Sequence, residues 1–375
     1  MNKQNTVLRG DERAALLLRE LYSRFGYAQY KMNKFEEYDL YVSNKDFLIS
    51  DRVITFTDTD GKLLALKPDV TLSIVKNTQE KRGEVEKLYY QENVYRVSGK
   101  TESFREIMQV GLECIGKVDD YCLFEVLTLA AKSLAAISPD AVLNISHLGI
   151  VSAVLDSLGV TEQVRAKLLQ FIGEKNLHEM TALCESVGVP AEKIAVLSAL
   201  VCNYGKPSEV LPKILPRLAT VLPVDVTARF ADLLLALEKS ACGAAVRLDF
   251  SVIGDIGYYN GIVFKGFVAG VPEGLLSGGE YSGLLRKMGR AEQAIGFAVY
   301  LDALERLFYE TEHYDVDTVV LYGEDAAPAA LLAATEALTT AGETVLAAKA
   351  LPAGLRARRV VSFDGKEGKI VEGNA

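Results

Sequence analysis

Two polar residues, Gln109 and Glu113, lie in a segment whose residues alternate as they do along a β-strand. Because side chains alternate between the two faces of a strand, Gln109 and Glu113 point the same way, with Gly111 between them. At ~3.3 Å per residue they stand about 13 Å apart, and Gly111 leaves space above the sheet. A small ligand with a cationic group would fit there, held by the Glu113 carboxylate and the Gln109 amide. The alternative is a strand whose polar face points to solvent.

Two further pairs of residues have a structural and a functional interpretation. A strand pattern breaks at a proline before Asp69, and a helix is predicted at about 71–77. Asp69 and Thr71 then stand at the helix entrance, where they either cap the helix or grip an amino group. Tyr258 and Tyr259 follow a glycine-rich loop and open a predicted strand. They are either core aromatics or the wall of a pocket.

The sequence offers no other chemistry that is recognisable from motifs. It has no GxGxxG, GxxxxGK[ST] or HExxH motif. The three histidines lie in unrelated contexts, and the five cysteines form no CxxC pair, which is typical of reduced thiols in the cytosol. We therefore expect no metal, no cofactor and a cytoplasmic location.

Composition indicates a globular protein of two or three domains. The chain has 375 residues, of which 49% are hydrophobic and 24% are charged. The net charge of −9 argues against a protein that works mainly by binding nucleic-acid phosphates. The amino-terminal segment lacks the apolar core of a signal peptide, and no run approaches the ~20 apolar residues of a membrane span. We expect no membrane association.

Periodicity predicts an α+β arrangement around two strands within 88–116. Residues 294–307 are predicted to be a short strand start leading into a helix. The other predicted elements of the core are helices at 11–26, 71–77, 118–137 and 148–158, and strands at 53–57, 63–66, 141–145, 245–250 and 258–268.

The same patterns predict how the chain divides into domains. Residues 1–310 form a core domain, interrupted from about 160 to 243 by an all-α insert. Residues 315–375 resemble a small α/β unit. The tail from Lys366 lacks apolar anchors and is expected to fray.

Five segments, in this order, resemble motifs of one enzyme family. They are KPDVT at 67–71, YR at 95–96 with FREIMQVGLE at 104–113, GYYNGIVFKGF at 257–267, GGEYSGL at 278–284 and IGFAVYLDAL at 295–304. Together they resemble the catalytic core of histidyl-tRNA synthetase, over most of residues 9–310. The resemblance implies an α+β fold with a class II aminoacyl-tRNA synthetase-like antiparallel sheet and helices.

The resemblance also implies roles for the candidate residues. Asp69 and Thr71 would hold the α-amino group of an amino acid, helped by Gln109. The residues that would face the imidazole ring of histidine are Glu113, Tyr258 and Tyr259. Arg96 matches the arginine of the family's second motif and belongs to the same pocket.

The sequence departs from the family where a synthetase binds ATP. A synthetase uses arginines to stabilise the charge that develops at the α-phosphate. The residues that replace family arginines here are Gly254, Glu280 and Ala303. Asp255 follows the first of them, so Glu280 and Asp255 are expected to put an acid where a triphosphate needs a cation or close beside it. Ser98 replaces a family acid. One like-charge contact at ~4 Å costs about 4 kcal/mol at an effective dielectric of about 20, so we expect activation chemistry to be lost.

A synthetase fold that keeps an amino-acid pocket and lacks an ATP site is similar to the regulatory subunits of ATP phosphoribosyltransferase in histidine biosynthesis. The resemblance implies a non-catalytic chain that activates a short catalytic subunit and helps deliver feedback inhibition by L-histidine. It also implies self-association as a dimer and a hetero-octamer of four regulatory and four catalytic chains. The carboxyl-terminal unit is shorter than an anticodon-binding domain and alanine-rich rather than basic, so we expect no tRNA binding.

Two alternatives remain open. The chain is an active histidyl-tRNA synthetase, or a relative that activates another amino acid, if it catalyses ATP–pyrophosphate exchange. It is a stand-alone histidine sensor, or an adaptor that mimics tRNA, if it leaves the short catalytic subunit unchanged.

Overall fold

The computed structural model describes residues 8–47, 52–80, 83–97, 103–254, 258–304, 314–365 and 369–372. The chain forms two compact units. One unit spans Ala14–Leu304, and the other comprises Glu305–Ala375 together with Met1–Arg13. Within the described ranges, no helix is long and apolar enough to cross a membrane.

An eight-stranded sheet and a three-stranded sheet build the larger unit. The strands are β1 (Ala28–Gln29), β2 (Phe35–Glu37), β3 (Thr55–Thr57), β4 (Leu63–Leu66), β5 (Val85–Val97), β6 (Phe104–Gly116), β7 (Ala141–His147), β8 (Val246–Leu248), β9 (Ile262–Val268), β10 (Leu276–Glu280) and β11 (Gln293–Tyr300). The large sheet has the order β1-β5-β6-β11-β10-β9-β7-β8, and the small one β2-β4-β3. In the large sheet all neighbours are antiparallel except β1 with β5 and β7 with β8. Strands β5 and β6 pair along their whole length, which confirms the two strands predicted within 88–116.

Helices of the larger unit cover both faces of the large sheet and form the insert. They are α1 (Gly10–Arg24), α2 (Tyr38–Ser43), α3 (Thr71–Asn77), α4 (Asp120–Ile137), α5 (Leu148–Ser157), α6 (Glu162–Gly173), α7 (Leu177–Ser186), α8 (Ala191–Cys202), α9 (Pro207–Leu218), α10 (Val224–Glu238) and α11 (Ser282–Lys287).

Apolar packing of α1 and α4 closes one face of the large sheet. Tyr22 of α1 meets Phe297 of β11 edge to face, with ring centroids 5.9 Å apart. The Tyr22 hydroxyl also lies 2.9 Å from the Ser133 hydroxyl of α4. Gly266 on β9 leaves the space into which Leu134 of α4 packs. The candidate polar residues Gln109 and Glu113 lie on the opposite face, because they alternate with Val110 and Leu112 along β6.

The opposite face carries α3, α11 and the small sheet. The buried side chains that join them include Val70, Leu72 and Ile74 around α3 and Leu284 and Leu285 in α11. The β3–β4 hairpin turns at Gly61, whose φ of 81° favours glycine. This hairpin and the helix at 71–77 were both predicted from the sequence.

The predicted all-α insert is confirmed by α6 to α10. Lys175 lies between α6 and α7 in the left-handed region, with φ 54°. Its Nζ is 2.8 Å from Asp249 Oδ2 and stands over the Tyr204 ring, 4.2 Å from the centroid. These contacts tie the insert to the end of β8.

The smaller unit contains a four-stranded sheet. Its elements are β12 (Val316–Tyr322), α12 (Pro328–Thr340), β13 (Val345–Ala348), β14 (Ala357–Asp364) and β15 (Lys369–Glu372). The strand order is β13-β12-β14-β15, with β15 antiparallel to β14 and the other pairs parallel.

Three local predictions differ from the structure. Residues 293–300 form one continuous strand, β11, followed by a 3-10 turn at Leu301–Leu304. Strand β9 begins at Ile262 rather than at Tyr258. The tail was expected to fray from Lys366, yet Lys369–Glu372 pair with β14; residues 366–368 lie outside the described ranges.

Candidate ligand-binding site

A cavity of about 240 Å³ opens on the polar face of the large sheet. All seven residues predicted for an amino-acid pocket line it: Asp69, Thr71, Arg96, Gln109, Glu113, Tyr258 and Tyr259. The structure adds Tyr90, Ser277, Tyr281, Gly296, Phe297, Ala298 and Tyr300. We call this space the central cavity.

Glu113 is the buried acid of the central cavity, with 2% of its surface exposed. Its Oε1 accepts a hydrogen bond from Thr71 Oγ1 at 2.8 Å, and its Oε2 accepts one from the Tyr281 hydroxyl at 2.6 Å. Burial raises the pKa of Glu113 from 4.5 to about 8; the two hydrogen bonds oppose this rise, and the charge of Asp69 adds to it. A buried acid of this kind favours a ligand that brings a positive charge or an N–H donor.

Glycines on neighbouring strands make room for that carboxylate. Gly296 on β11 is the direct cross-strand partner of Glu113, and a Cβ added there would overlap the carboxylate. Gly279 on β10 is in turn the partner of Gly296, and a Cβ there would meet the Tyr259 ring at 2.7 Å. The cavity therefore exists because side chains are missing from the middle of the sheet.

Gln109 points into the same cavity and is also buried, with 2% of its surface exposed. Its Nε2 has no hydrogen-bond partner within the part of the chain that the structure describes. A buried amide N–H without an acceptor is costly, about 1–3 kcal/mol, unless a ligand or water supplies one. Burial of both Gln109 and Glu113 excludes the interpretation of this strand face as solvent-exposed.

The space expected above Gly111 is filled by protein. Tyr90 on β5 is the direct partner of Gly111, and a Cβ added at Gly111 would meet the Tyr90 hydroxyl at 2.5 Å. The prediction that a ligand lies directly over Gly111 is therefore wrong. Because Gly111 has no side chain, the phenol of Tyr90 packs against it and forms part of the cavity wall.

Asp69 has both of the roles considered for it, as a helix cap and as a lining residue. Its Oδ1 accepts a hydrogen bond from the Leu72 backbone N–H at 2.9 Å, at the start of α3. Its Oδ2 lies 3.5 Å from a guanidinium nitrogen of Arg96, whose Nε donates to the Pro68 carbonyl at 2.7 Å. Burial raises the pKa of Asp69, while the Arg96 guanidinium opposes the rise.

Aromatic rings form the remaining wall. Tyr258 meets Tyr259 edge to face at 4.8 Å between centroids and lies 5.8 Å from Tyr281 and 6.1 Å from Phe47. Burial raises the pKa of all three tyrosine phenols well above the usual value, so they remain neutral. Such rings suit a flat ligand group with polar edges, such as an imidazole.

A larger cavity of about 1040 Å³ adjoins the central cavity and contains two of the positions where the family has arginines. Gly254 and Ala303 line this larger cavity. Ser98 and Asp255 lie outside the described residues. Within the described ranges, no group of acidic, histidine or cysteine side chains could hold a metal ion.

Glu280 does not belong to this region. Its Oε2 accepts a hydrogen bond from the Ile262 backbone N–H at 2.6 Å, and it lines a separate cavity of about 110 Å³ with His147 and Arg229. The prediction that Glu280 places an acid near a triphosphate is wrong. Ser277 and Glu280 are three residues apart on β10 and therefore face opposite sides of the sheet.

Comparison with known proteins assigns the chain to a family. A family model described as Histidyl-tRNA synthetase matches residues 8–304. The chain belongs to the histidyl-tRNA synthetase family. The class II synthetase-like α+β fold predicted from the motifs is thereby confirmed.

Among members of the histidyl-tRNA synthetase family, the chain is similar to proteins named as regulatory subunits. It is 26% identical over 305 residues to the ATP phosphoribosyltransferase regulatory subunit of Alkaliphilus metalliredigens, covering 78% of this chain and 75% of that protein. An ATP phosphoribosyltransferase regulatory subunit/histidyl-tRNA synthetase from Bacillus halodurans shares the fold, with a TM-score of 0.68 at 24% identity over 90% of this chain and 88% of the other. A chain of the ATP phosphoribosyl transferase (HisG:HisZ) complex from Thermotoga maritima has a TM-score of 0.60 at 19% identity, over 77% of this chain and 96% of the other. The resemblance predicted from the sequence is confirmed.

Some residues of this family member's cavity were missed by reading the sequence. Tyr281 hydrogen-bonds Glu113 although the two are 168 residues apart in the sequence, and no local sequence pattern predicts such a contact. Gly296 did carry a signal, because glycine inside a strand often marks a close approach of other atoms. Tyr300, at the end of the same strand, carried none.

Proposed function

We propose that this chain is a non-catalytic regulatory subunit of ATP phosphoribosyltransferase, which activates a short catalytic subunit and helps deliver feedback inhibition by L-histidine. The observation that carries the proposal is the contrast between two neighbouring cavities. The central cavity holds polar groups suited to an amino acid, whereas none of the described residues lining the larger cavity is an arginine. Without guanidinium groups, a site is poorly suited to stabilise the charge that develops at a phosphate.

L-Histidine is the ligand proposed for the central cavity. Asp69 and Thr71, with the Gln109 side chain, would hold the α-amino group, and the guanidinium of Arg96 would balance the nearby acids. The groups proposed to surround the imidazole are Glu113, Tyr258 and Tyr259. One ring nitrogen of neutral histidine carries an N–H donor, and both do in the imidazolium cation, so either form can donate to the buried Glu113 carboxyl.

The partner proposed is the short catalytic subunit, in a hetero-octamer of four regulatory and four catalytic chains, with the regulatory chain self-associating as a dimer. The names of the similar proteins support a catalytic-subunit partner. We further propose that residues 1–310 act as one domain with an insert at about 160–243, that 315–375 is a truncated unit which does not bind tRNA, and that the protein is cytoplasmic.

Histidine would act through a difference in its affinity for two states of the complex. A ligand shifts an equilibrium only by as much as its affinities for the two states differ. By the same linkage, the catalytic subunit must change the affinity of this chain for histidine, by the same factor.

Two measurements test the proposal. Calorimetry with L-histidine should show saturable binding to the isolated chain, while L-alanine, which lacks the ring, should give no heat. When mixed with the short catalytic subunit, the chain should raise the rate of phosphoribosyl transfer, and L-histidine should then lower it. A catalytic subunit unaffected by the chain would instead support a stand-alone histidine sensor.

An active histidyl-tRNA synthetase is the second candidate, favoured by one observation. Arg96, which matches the motif 2 arginine, is present and lines the central cavity. ATP–pyrophosphate exchange by the isolated chain, with L-histidine as substrate, would establish this activity. We expect no exchange above the rate without enzyme.

A further inference from the structure

Two phenol rings stand where the central cavity meets the larger one. The two cavities share three lining residues, Tyr259, Ser277 and Tyr300. The Tyr259 ring packs over Gly279 of β10, where an added Cβ would meet the ring at 2.7 Å. We call Tyr259 and Tyr300 the tyrosine wall.

The sheet fixes the position of Tyr300 within this wall. Tyr300 is the last residue of β11 and the direct cross-strand partner of Gln109 on β6. Directly opposed residues share a face, with their Cβ atoms about 4.5–5.5 Å apart. The Tyr300 backbone N–H donates to the Leu275 carbonyl at 2.9 Å. The phenol of Tyr300 is also close enough to contribute to the raised pKa of Tyr259 and of Tyr90.

The polar groups of the central cavity determine the orientation in which an amino acid binds. The Gln109 amide can serve both ends of the amino acid's backbone: its Oε1 accepts from the α-amino group, and its Nε2, a buried donor without a partner within the described residues, suits a carboxylate oxygen. The Glu113 carboxyl, four residues along the same strand, suits a basic ring. An amino acid that satisfies both groups places its carboxylate beside Gln109 and therefore beside Tyr300.

We propose that Tyr300 closes the central cavity at the carboxylate end and so selects a free amino acid over derivatives extended at the carboxyl carbon, more strongly the larger the added group. This inference rests on the proposed function, because it requires an amino acid in the central cavity. Esters, amides and acyl phosphates of the same amino acid would have to pass through the tyrosine wall into the larger cavity. Tyr300 is thus a specificity-determining residue, and it rejects such ligands by steric exclusion.

The test compares ligands that differ only in size beyond the carboxyl carbon. L-Histidine methyl ester and L-histidine benzyl ester both lack the carboxylate charge, so the ratio of their dissociation constants reports size. Calorimetry on the full chain should show the benzyl ester binding at least about tenfold more weakly than the methyl ester. Tyr300→Ala should bring the ratio close to one. Tyr300→Phe, which keeps the ring, should retain the wild-type ratio.

The control is Tyr121→Ala, because Tyr121 is an exposed tyrosine on α4, which packs on the face of the large sheet opposite the central cavity. This variant should keep the wild-type ratio. Circular dichroism establishes that each variant is folded, and Tyr300→Leu replaces the alanine variant if that one does not fold. Leucine is shorter than tyrosine and should also lower the ratio.

The outcomes separate the inference from the proposed function. If the folded wild-type chain does not bind L-histidine, both fail. If it binds L-histidine but the ester ratio is the same in wild type and in the folded alanine or leucine variant, only the role of Tyr300 is overturned. A wild-type ratio near one, with L-histidine bound, overturns it equally.

Discussion

Replacing Glu113 by glutamine is expected to remove a pH dependence of stability that the wild-type chain carries. Burial raises the pKa of Glu113 from 4.5 to about 8, although the hydrogen bonds from Tyr281 and Thr71 favour the carboxylate. The folded chain therefore holds this proton more tightly than the unfolded chain. The resulting stabilisation is complete below pH 4.5 and is lost as the pH rises through about 8.

The size of the effect follows from the shift. At 1.36 kcal/mol per pH unit, a rise from 4.5 to about 8 corresponds to about 5 kcal/mol. Glutamine resembles the protonated acid in shape and cannot ionise, so the variant should keep its stability over this range. Burial also raises the pKa of Asp69 and lowers that of His147 to about 4. His147 is present in both proteins and cancels in the difference, whereas Asp69 is coupled to Glu113 by charge and is part of the measured effect.

Urea unfolding followed by far-ultraviolet circular dichroism measures this difference at pH 5.5 and pH 8.5. The unfolding free energy of Glu113→Gln, relative to wild type, should increase by several kcal/mol between the two pH values. Glu106→Gln is the matched control, because Glu106 lies on the same strand but is exposed, and it should follow the wild type. Identical pH dependence in wild type and Glu113→Gln would refute the reasoning.

The same variant tests where histidine binds. At pH 8.5, where Glu113 is charged, a hydrogen bond to its carboxylate contributes about 1.5–3 kcal/mol, so Glu113→Gln should weaken L-histidine binding by about 10–100-fold in calorimetry. Unchanged affinity would mean that histidine binds elsewhere, for example at a subunit interface.

Two further substitutions test the packing of the larger unit. Gly296→Ala should lower the unfolding free energy by about 1–3 kcal/mol and weaken L-histidine binding, because the added methyl overlaps the buried carboxylate opposite it. Thermal melts measure this loss of stability, and in them Gly283→Ala should match the wild type, since its methyl would meet no atom closer than 3.9 Å. Lys175→Ala should lower the unfolding free energy in urea by about 1–3 kcal/mol, because it leaves the buried Asp249 without its ammonium partner. Arg229→Ala breaks an exposed ion pair and should cost less than about 1 kcal/mol; equal losses in the two variants would contradict this account.

Strand alternation was enough to predict that Gln109 and Glu113 share one face of the strand, because side chains alternate between the two faces with a period of two residues. It could not establish that this face is buried, since polar side chains are usual on exposed faces. Burial depends on α3, α11 and the Tyr258 segment, which pack over β6 from distant parts of the sequence. The motif resemblance supplied what the pattern could not, because it named residues from several of these segments at once.

The errors also have physical causes. Gly111 was expected to leave a gap, but its neighbour across the strand pair is Tyr90, and cross-strand register cannot be read from one strand. Glu280 was placed by its motif rather than by its strand face, and β10 turns it away from the larger cavity. The tail was judged by its polar composition, whereas its order comes from backbone pairing with β14.

That last pairing has a practical consequence for handling the protein. Strand β15 covers the outer edge of β14, whose Val361 and Phe363 are buried. A strand at the edge of a sheet offers free backbone N–H and C=O groups to other molecules, and without the short β15 (4 residues) the longer β14 (8 residues) becomes that edge. A shortened chain that ends before β15 should therefore self-associate into oligomers during purification. An affinity tag attached after β15 needs a spacer long enough to leave that strand paired with β14.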